Sequence, residues 1–333
     1  RCRIPHIEAT RTTTTRTTVM NSGMGYSGDH KPLKLMLIVG VTIAYTAYVG
    51  CSGLLSMNRR FFDIENDFEA NNTILDHDLE INPASFTFFV VWGIIYVWQF
   101  LWLGYALSTL CRLTKYGYLY VSPNILPASI FFFFFINNGC GVAWFLLYQN
   151  LYIPHACAAL AMMAFTLYLC LFISMRALNK HGEKLVEQQK GSDIWMIRIL
   201  CHNGLGMYAT WCTIATLLNF ATTLVFWANV SNAMASTISL AILAGELLLW
   251  AILDNFVLDK FTRYLITPYI VVVFALVGVI VKNWNPDTRN SIMNAVLLGV
   301  ASAFLLIKII MVIYRHRRNP VDYENKGTLK PIP

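Results

Sequence analysis

The sequence predicts an all-α fold: a polytopic membrane helix bundle of about eight transmembrane helices. Three observations predict it. First, 56% of the 333 residues are hydrophobic, 13% are charged, and the mean hydropathy is +0.53. A soluble domain carries about 25% charged residues, so this chain could not keep a globular surface wet. Second, the apolar stretches run unbroken for about 20 residues, the length a span needs. Alternation at every second residue would mark a transmembrane β-barrel, and low hydrophobicity would mark disorder; neither is present. Third, Lys and Arg segregate between the connections.

The spans are expected at 35–57, 86–110, 127–149, 154–178, 204–227, 234–253, 264–282 and 291–314. Together they take up more than half the chain and leave no room for a soluble catalytic domain. With the N-terminus cytoplasmic, 20 of the 25 Lys and Arg residues fall on the cytoplasmic side. Arg59, Arg60, Lys282 and Arg289 fall on the other, and Lys308 lies inside the last span. This bias predicts both termini inside. The net charge of +7 then reads as topology, with no nucleic-acid partner implied.

Residues 1–34 form a polar, Thr- and Arg-rich cytoplasmic segment. Its composition resembles a transit peptide, but Met20 or Met24 as a start residue is the simpler reading, and no apolar signal core precedes span one. The connection 58–85 is acidic, carrying Asp63, Glu65, Asp67, Glu69, Asp76, Asp78 and Glu80. It contains the sequon Asn71-Asn72-Thr73 on the exoplasmic side, so Asn71 is a candidate glycosylation site. A second sequon, Asn229-Val230-Ser231, lies too close to the membrane to be used. Sequon and acidic loop together favour the secretory pathway or plasma membrane. Residues 315–333 form a basic cytoplasmic tail.

Motifs of soluble enzymes are missing: no Walker loop, no dinucleotide fingerprint, no H-E-x-x-H. The eight cysteines form no C-x-x-C pair and read as packing residues, with neither a disulfide framework nor a metal site. His155 and His202 sit near span ends and read as structural. No cofactor is expected, and the chain is read as a binder, not an enzyme.

Aromatic residues make up 14% of the chain. Trp195, Trp227 and Trp284 fall where interfacial anchors belong. Trp92, Trp98, Trp102, Trp144 and Trp211 fall deeper, and Trp92 and Tyr96 share a helix face. Packing against neighbouring helices is the simpler explanation, and an apolar cavity for a planar ligand is the functional one. Two ionisable residues lie within spans, Glu246 in the sixth and Lys308 in the eighth. Their depths agree to within a few ångströms at about 1.5 Å per residue. An unpaired charge in lipid is costly, so an intramembrane Glu246–Lys308 pair is expected. The amides Asn137, Asn138 and Asn219 are expected to find partners on other helices.

At these residues the sequence resembles the TspO/translocator-protein family of tryptophan-rich sensory proteins, in its longer eight-helix type. The fifth span reads Tyr208-Ala-Thr-Trp211-Cys-Thr-Ile-Ala215-Thr-Leu-Leu218-Asn219. The family pattern is P-Y-x-x-W-x-x-x-A-x-x-L-N, with Met207 standing where Pro is usual. The second span opens Pro83-Ala-Ser-Phe-Thr-Phe-Phe-Val-Val-Trp92-Gly-Ile-Ile-Tyr96, similar to the longer members' P-A-G-Y-x-F-x-x-W-G-x-I-Y with one extra residue. Asn138 and Trp144 resemble the family's N-x-x-W at a spacing of six, and Ala275–Lys282 resembles the longer members' seventh helix.

The resemblance implies a five-helix unit over 35–227 and three additional helices over 228–314. It further implies a receptor for a hydrophobic small molecule, porphyrin or sterol, in an aromatic-lined cavity. Trp92, Tyr96, Trp144, Tyr208, Trp211 and Asn219 would line or brace that cavity, with 58–85 as its lid. The mitochondrial outer membrane is the location the animal members suggest. Partners are thus the bilayer and one small molecule, with homo-oligomerisation left open. Two other readings compete. A secondary transporter would use the Glu246–Lys308 pair and the glycines Gly139 and Gly141 of span three. A membrane enzyme ranks last, because no titratable pair converges.

Overall fold

A computed structural model describes residues 30–57, 78–114, 117–318 and 321. Eight long helices dominate it: α1 (Pro32–Met57), α2 (Ser85–Cys111), α3 (Ala128–Gln149), α4 (Ile153–Glu187), α5 (Gly191–Ala228), α6 (Asn232–Val257), α7 (Thr267–Asn283) and α8 (Arg289–Arg318). Seven are long and apolar enough to cross a membrane. The other, α7, has 17 residues, at the lower limit for a span. It begins three residues later than the hydropathy suggested, because 263–266 form the turn that feeds it. The expected glycosylation residue Asn71, and most of the acidic connection, lie outside the described residues.

Local chemistry sets the helix ends. Proline occupies the first turn of α4 and of α7, where its missing N–H costs nothing. Asn229 closes α5 in the left-handed conformation at φ 53°, and Ser231 caps α6 by accepting from Met234 N at 3.4 Å. The second sequon is thus built into a helix–helix turn.

The exterior of the bundle is apolar. Phe89, Val97, Phe256 and Ile310 are all exposed, as a lipid-facing surface requires. Helix α5 is the most buried span and packs on α2, α4, α6 and α7, while α1 packs on α2 and α3. A short hairpin, β1 (Leu113–Thr114) with β2 (Gly117–Tyr118), lies beyond α2. Lys34 at the start of α1 reaches this connection, donating to Tyr120 O and Asn124 Oδ1 at 2.6 Å each.

Successive helices alternate in direction, and charged groups collect at the two ends. At the end holding the α2–α3 connection, Arg112 forks onto Asp193, with two bonds of 2.7 Å, and Tyr105 adds a third at 2.9 Å. Asp259 accepts from Arg263 at 2.6 Å and Arg315 at 2.5 Å. At the opposite end the segment before α2 is tied to the last three helices. Lys282 pairs with Asp78, Asn290 donates to Glu80 at 2.6 Å, and Asn283 donates to Asn82 O at 2.7 Å. Gly278 of α7 accepts from Ala84 N at 2.9 Å, and a Cβ there would collide with Thr87.

The expected Glu246–Lys308 pair does not form. Lys308 instead pairs with Asp254 at 2.6 Å, both essentially fully buried. Lys308 also donates to Thr262 O at 3.1 Å, and Tyr269 OH donates to the second Asp254 oxygen at 2.9 Å. Two features explain the difference. Helix α6 runs past the expected span end through a π-turn, Leu253–Val257, which rotates Asp254 into the bundle. Glu246 lies eight residues deeper, about 12 Å along the helix. A lysine near a helix end reaches toward that end, not toward the centre.

Removing one partner of a buried pair leaves an uncompensated charge and costs about 3–5 kcal/mol, whereas removing both is far milder. Lys308→Met is therefore expected to lower the unfolding temperature sharply, and Asp254→Asn/Lys308→Met to regain more than half of the loss. A single-variant cost no larger than that of a surface pair would mean that the pair is not formed.

Burial opposes ionisation of Asp259, but the hydrogen bonds from Arg263 and Arg315 outweigh it and hold the carboxyl below its ordinary value near 3.8. Its stabilisation is complete above that value and fades as pH falls through the lower folded value. The gap in unfolding temperature between the protein and Asp259→Asn should be constant at neutral pH and shrink below about pH 4. A gap that widened with acid would contradict the network.

Candidate functional site

The aromatic residues singled out from sequence converge. Trp92 of α2 stacks against Trp144 of α3, with ring centroids 6.2 Å apart and planes at 19°. Trp92 also meets Tyr96 at 5.5 Å and, edge-on, Tyr208 of α5 at 5.9 Å. Trp211 does not touch this group directly; it meets Phe88 of α2 edge-on at 5.4 Å, one turn before Trp92. Asn219 lies two turns further along the same face of α5 and donates to its own helix at Ala215 O, 3.1 Å.

Helix geometry explains the convergence. Tyr208, Trp211, Ala215 and Asn219 recur at steps of three or four, so they share one face of α5. Phe88, Trp92 and Tyr96 do the same on α2. Tyr208 and Trp211 are buried, whereas Trp92, Tyr96 and Trp144 are half-exposed. The cluster is therefore closed on the α5 side and less buried on the side of α2 and α3.

Sequence reasoning missed the contribution of α1. Tyr48 meets Tyr96 edge-on at 6.3 Å, and Tyr45 meets Phe134 of α3 at 5.6 Å. The signal was available: Ile38, Val41, Tyr45 and Tyr48 form a single i, i+3, i+7 face, and all four are buried. Tyr48 comes so close to α3 that a Cβ on Gly141 would sit 2.8 Å from its ring. Glycine is needed there for the approach of two helices.

Several polar atoms around the cluster are buried without a protein partner: Nε1 of Trp144, Nε1 of Trp211, Oδ1 of Asn219 and both terminal atoms of the Asn138 amide. Asn138 is one turn from Phe134 and one from Gly141, hence on the face that meets Tyr45 and Tyr48. Its neighbour differs: Asn137 donates to Met163 O at 3.1 Å and to Thr166 at 3.3 Å, joining α3 to α4. His202 is buried in the π-turn Ile197–Asn203 of α5, its Nε2 3.1 Å from Ser174 Oγ of α4.

A second space lies on the opposite side of α5. It is a cavity of about 450 Å³ between α4, α5, α6 and α7, lined by Tyr168, Thr213, Leu217, Leu243, Glu246 and Val272 among others. Glu246 therefore faces this cavity and not Lys308.

The fold and the cluster define a class: a multi-pass helical membrane protein with an aromatic core built from α1, α2, α3 and α5. The comparison with protein families then specifies it. A family model described as TSPO-like protein matches residues 36–311, from the first turns of α1 into α8. The chain belongs to this family and is a membrane protein of TspO type, and the match includes the three C-terminal helices as well as the first five. No curated protein and no solved structure gives a match.

An amide with two unpartnered atoms costs more than an apolar group of the same shape, by about 1–3 kcal/mol per unsatisfied group. Asn138→Leu is accordingly expected to keep or raise the unfolding temperature. A marked fall would show that Asn138 has a protein or water partner that holds the bundle together.

Proposed function

We propose that this protein binds a planar hydrophobic molecule, a porphyrin or a sterol, against the aromatic cluster of α1, α2, α3 and α5, and that it acts by binding, not by turnover. The observation that carries this reading is the set of unpartnered polar atoms within a wall of aromatic rings. Such atoms are costly in a medium without water. Most binding sites combine an apolar lining with a few convergent polar groups, and this cluster has that composition. The indole N–H groups of Trp144 and Trp211 suit an acceptor such as a carboxylate or carbonyl. The Asn138 amide suits a hydroxyl, which both donates and accepts.

Trp92, Tyr96, Trp144, Tyr208 and Trp211 are the proposed contact residues, and Asn219 is a brace at the end of the α5 face. The TspO-type membership supports a sensing or carrying role for the bound molecule. Asp78 and Glu80, at the end of the acidic connection, are tied to α7 and α8. Residues 78–84, which lead into α2, are therefore held against the helices beyond the five-helix unit. The Lys and Arg bias supports cytoplasmic termini, with the secretory pathway or plasma membrane as the proposed location. The transporter reading loses the ion pair that motivated it.

The test is quenching of tryptophan fluorescence by protoporphyrin IX, with cholesterol as a competing ligand, on the purified protein and on Trp92→Phe/Trp211→Phe. Saturable quenching, weakened about tenfold or more in the variant, is the expected result. Equal quenching in the two proteins would leave the cluster as packing alone.

A further inference from the structure

The cavity on the far side of α5 has its own chemistry. At about 450 Å³ it lies within the usual range for small-molecule sites. Leu217, Leu243 and Val272 give it apolar walls, and no Lys, Arg or His lines it. Glu246 is its single carboxylate. It stands near the middle of α6 and makes no hydrogen bond or ion pair among the described residues, since Lys308 is committed to Asp254. An intramembrane carboxylate without a protein partner marks a candidate site.

The hydroxyls around it point to the charge of the missing partner. Thr210, Thr213 and Thr216 line the cavity, and each donates its proton to the carbonyl four residues earlier on α5, at 2.8, 3.1 and 2.7 Å. Their oxygens therefore offer lone pairs to the cavity. Tyr168 of α4 lies 3.2 Å from Thr213 Oγ1 and lines the same cleft as Glu246. A carboxylate beside hydroxyl lone pairs suits a donor and repels an anion. The indole N–H of Trp250 on the same wall is the exception, an unpartnered donor that suits an acceptor atom on the ligand body. Rim residues Ala161 and Leu249 are exposed on the lipid-facing exterior, so the cleft is entered from the bilayer.

We propose that this cleft binds a lipophilic amine, its ammonium group on Glu246 and its apolar body along Leu217, Leu243 and Val272. The site is separate from the aromatic cluster, because Thr210, Thr213 and Leu217 lie on the face of α5 opposite Tyr208, Trp211 and Ala215. A lipid acyl chain is the other occupant that apolar walls would accept, but it leaves Glu246 without a partner.

The test uses the full chain in phosphatidylcholine nanodiscs, with empty nanodiscs subtracting partition into lipid. The probes are tritiated N,N-dimethyl-4-(biphenyl-4-yl)butylamine and its hydrocarbon isostere, 4-(5-methylhexyl)biphenyl. The amine is expected to bind saturably and at least tenfold more tightly than the isostere. Glu246→Gln should remove that preference while leaving isostere binding unchanged. Ala161→Phe, which fills the rim from an exposed position, should weaken both. Trp92→Phe/Trp211→Phe should leave amine affinity intact, so failure of the porphyrin reading would not touch this one. Equal binding of amine and isostere to the unaltered protein would show a lipid-tail cleft and overturn the proposal. So would a preference that survives Glu246→Gln, or amine binding indifferent to Ala161→Phe.

Discussion

Helix α5 has to pack on four neighbours at once in a medium that offers no water, and the arrangement of the bundle follows from that constraint. Helices can approach it closely because its buried surface includes Gly204, Gly206, Ala209, Ala215 and Ala221. Its threonine hydroxyls are turned back onto its own carbonyls, so they add no unmet donors to the interfaces. The π-turn at its start exposes backbone groups that a regular helix would satisfy. Gln99 of α2 donates to Gly204 O at 3.0 Å, and Trp102 donates to Gln99 at 2.7 Å. Asn203 donates to Arg198 O and Tyr264 O at 2.8 Å each and accepts from Ile266 N at 3.0 Å. One irregular turn thus fixes α2 and the entrance to α7 against the same helix.

The charged groups obey the same rule in a different form. Each buried carboxylate near the α2–α3 end has more than one donor: Asp193 takes Arg112 and Tyr105, and Asp254 takes Lys308 and Tyr269. Paired and hydrogen-bonded in this way, a charge can be kept out of water without the penalty of an isolated ion. Glu246 departs from the pattern. It is exposed on the wall of the cleft, further from the helix end than Asp254, and its surroundings offer lone pairs rather than a cation.

Much of this was legible in the sequence. All eight helices were, because an apolar run of about 20 residues has one reading in a chain so poor in charge. Helix periodicity put Trp92 and Tyr96 on one face, and the resemblance to the TspO family implied that Trp144 and Tyr208 join them. The partner of Lys308 was not. Depth counted at 1.5 Å per residue assumes regular helices and side chains pointing straight across. The π-turn at Leu253–Val257 breaks the first assumption and the reach of lysine the second. Tyr45 and Tyr48 were readable as a buried face of α1, but nothing in that helix alone says which neighbour the face meets. The cavity beside Glu246 had no sequence signal, because an empty volume depends on how four helices fail to fill a space.

The polar atoms left over on the two sides of α5 differ in kind, and this gives the two spaces opposite preferences. On the Tyr208 and Trp211 side the spare groups include the indole N–H donors of Trp144 and Trp211. On the Thr210 and Thr213 side the threonine protons are already spent on the helix, and what remains is oxygen, with the Glu246 carboxylate among it. A ligand carboxylate is favoured by the first set and repelled by the second, and a ligand ammonium the reverse. Trp211 and the threonines sit on one helix at nearly one depth, with Trp144 and Glu246 facing them from α3 and α6, so the discrimination comes from a rotation of about half a turn around α5 and not from distance along the membrane. A single helix with a period of 3.6 residues can therefore present two chemically opposed walls, provided that neighbours on both sides are held at fixed distances. The polar anchors at Gln99, Asn203 and Asp254 supply those distances.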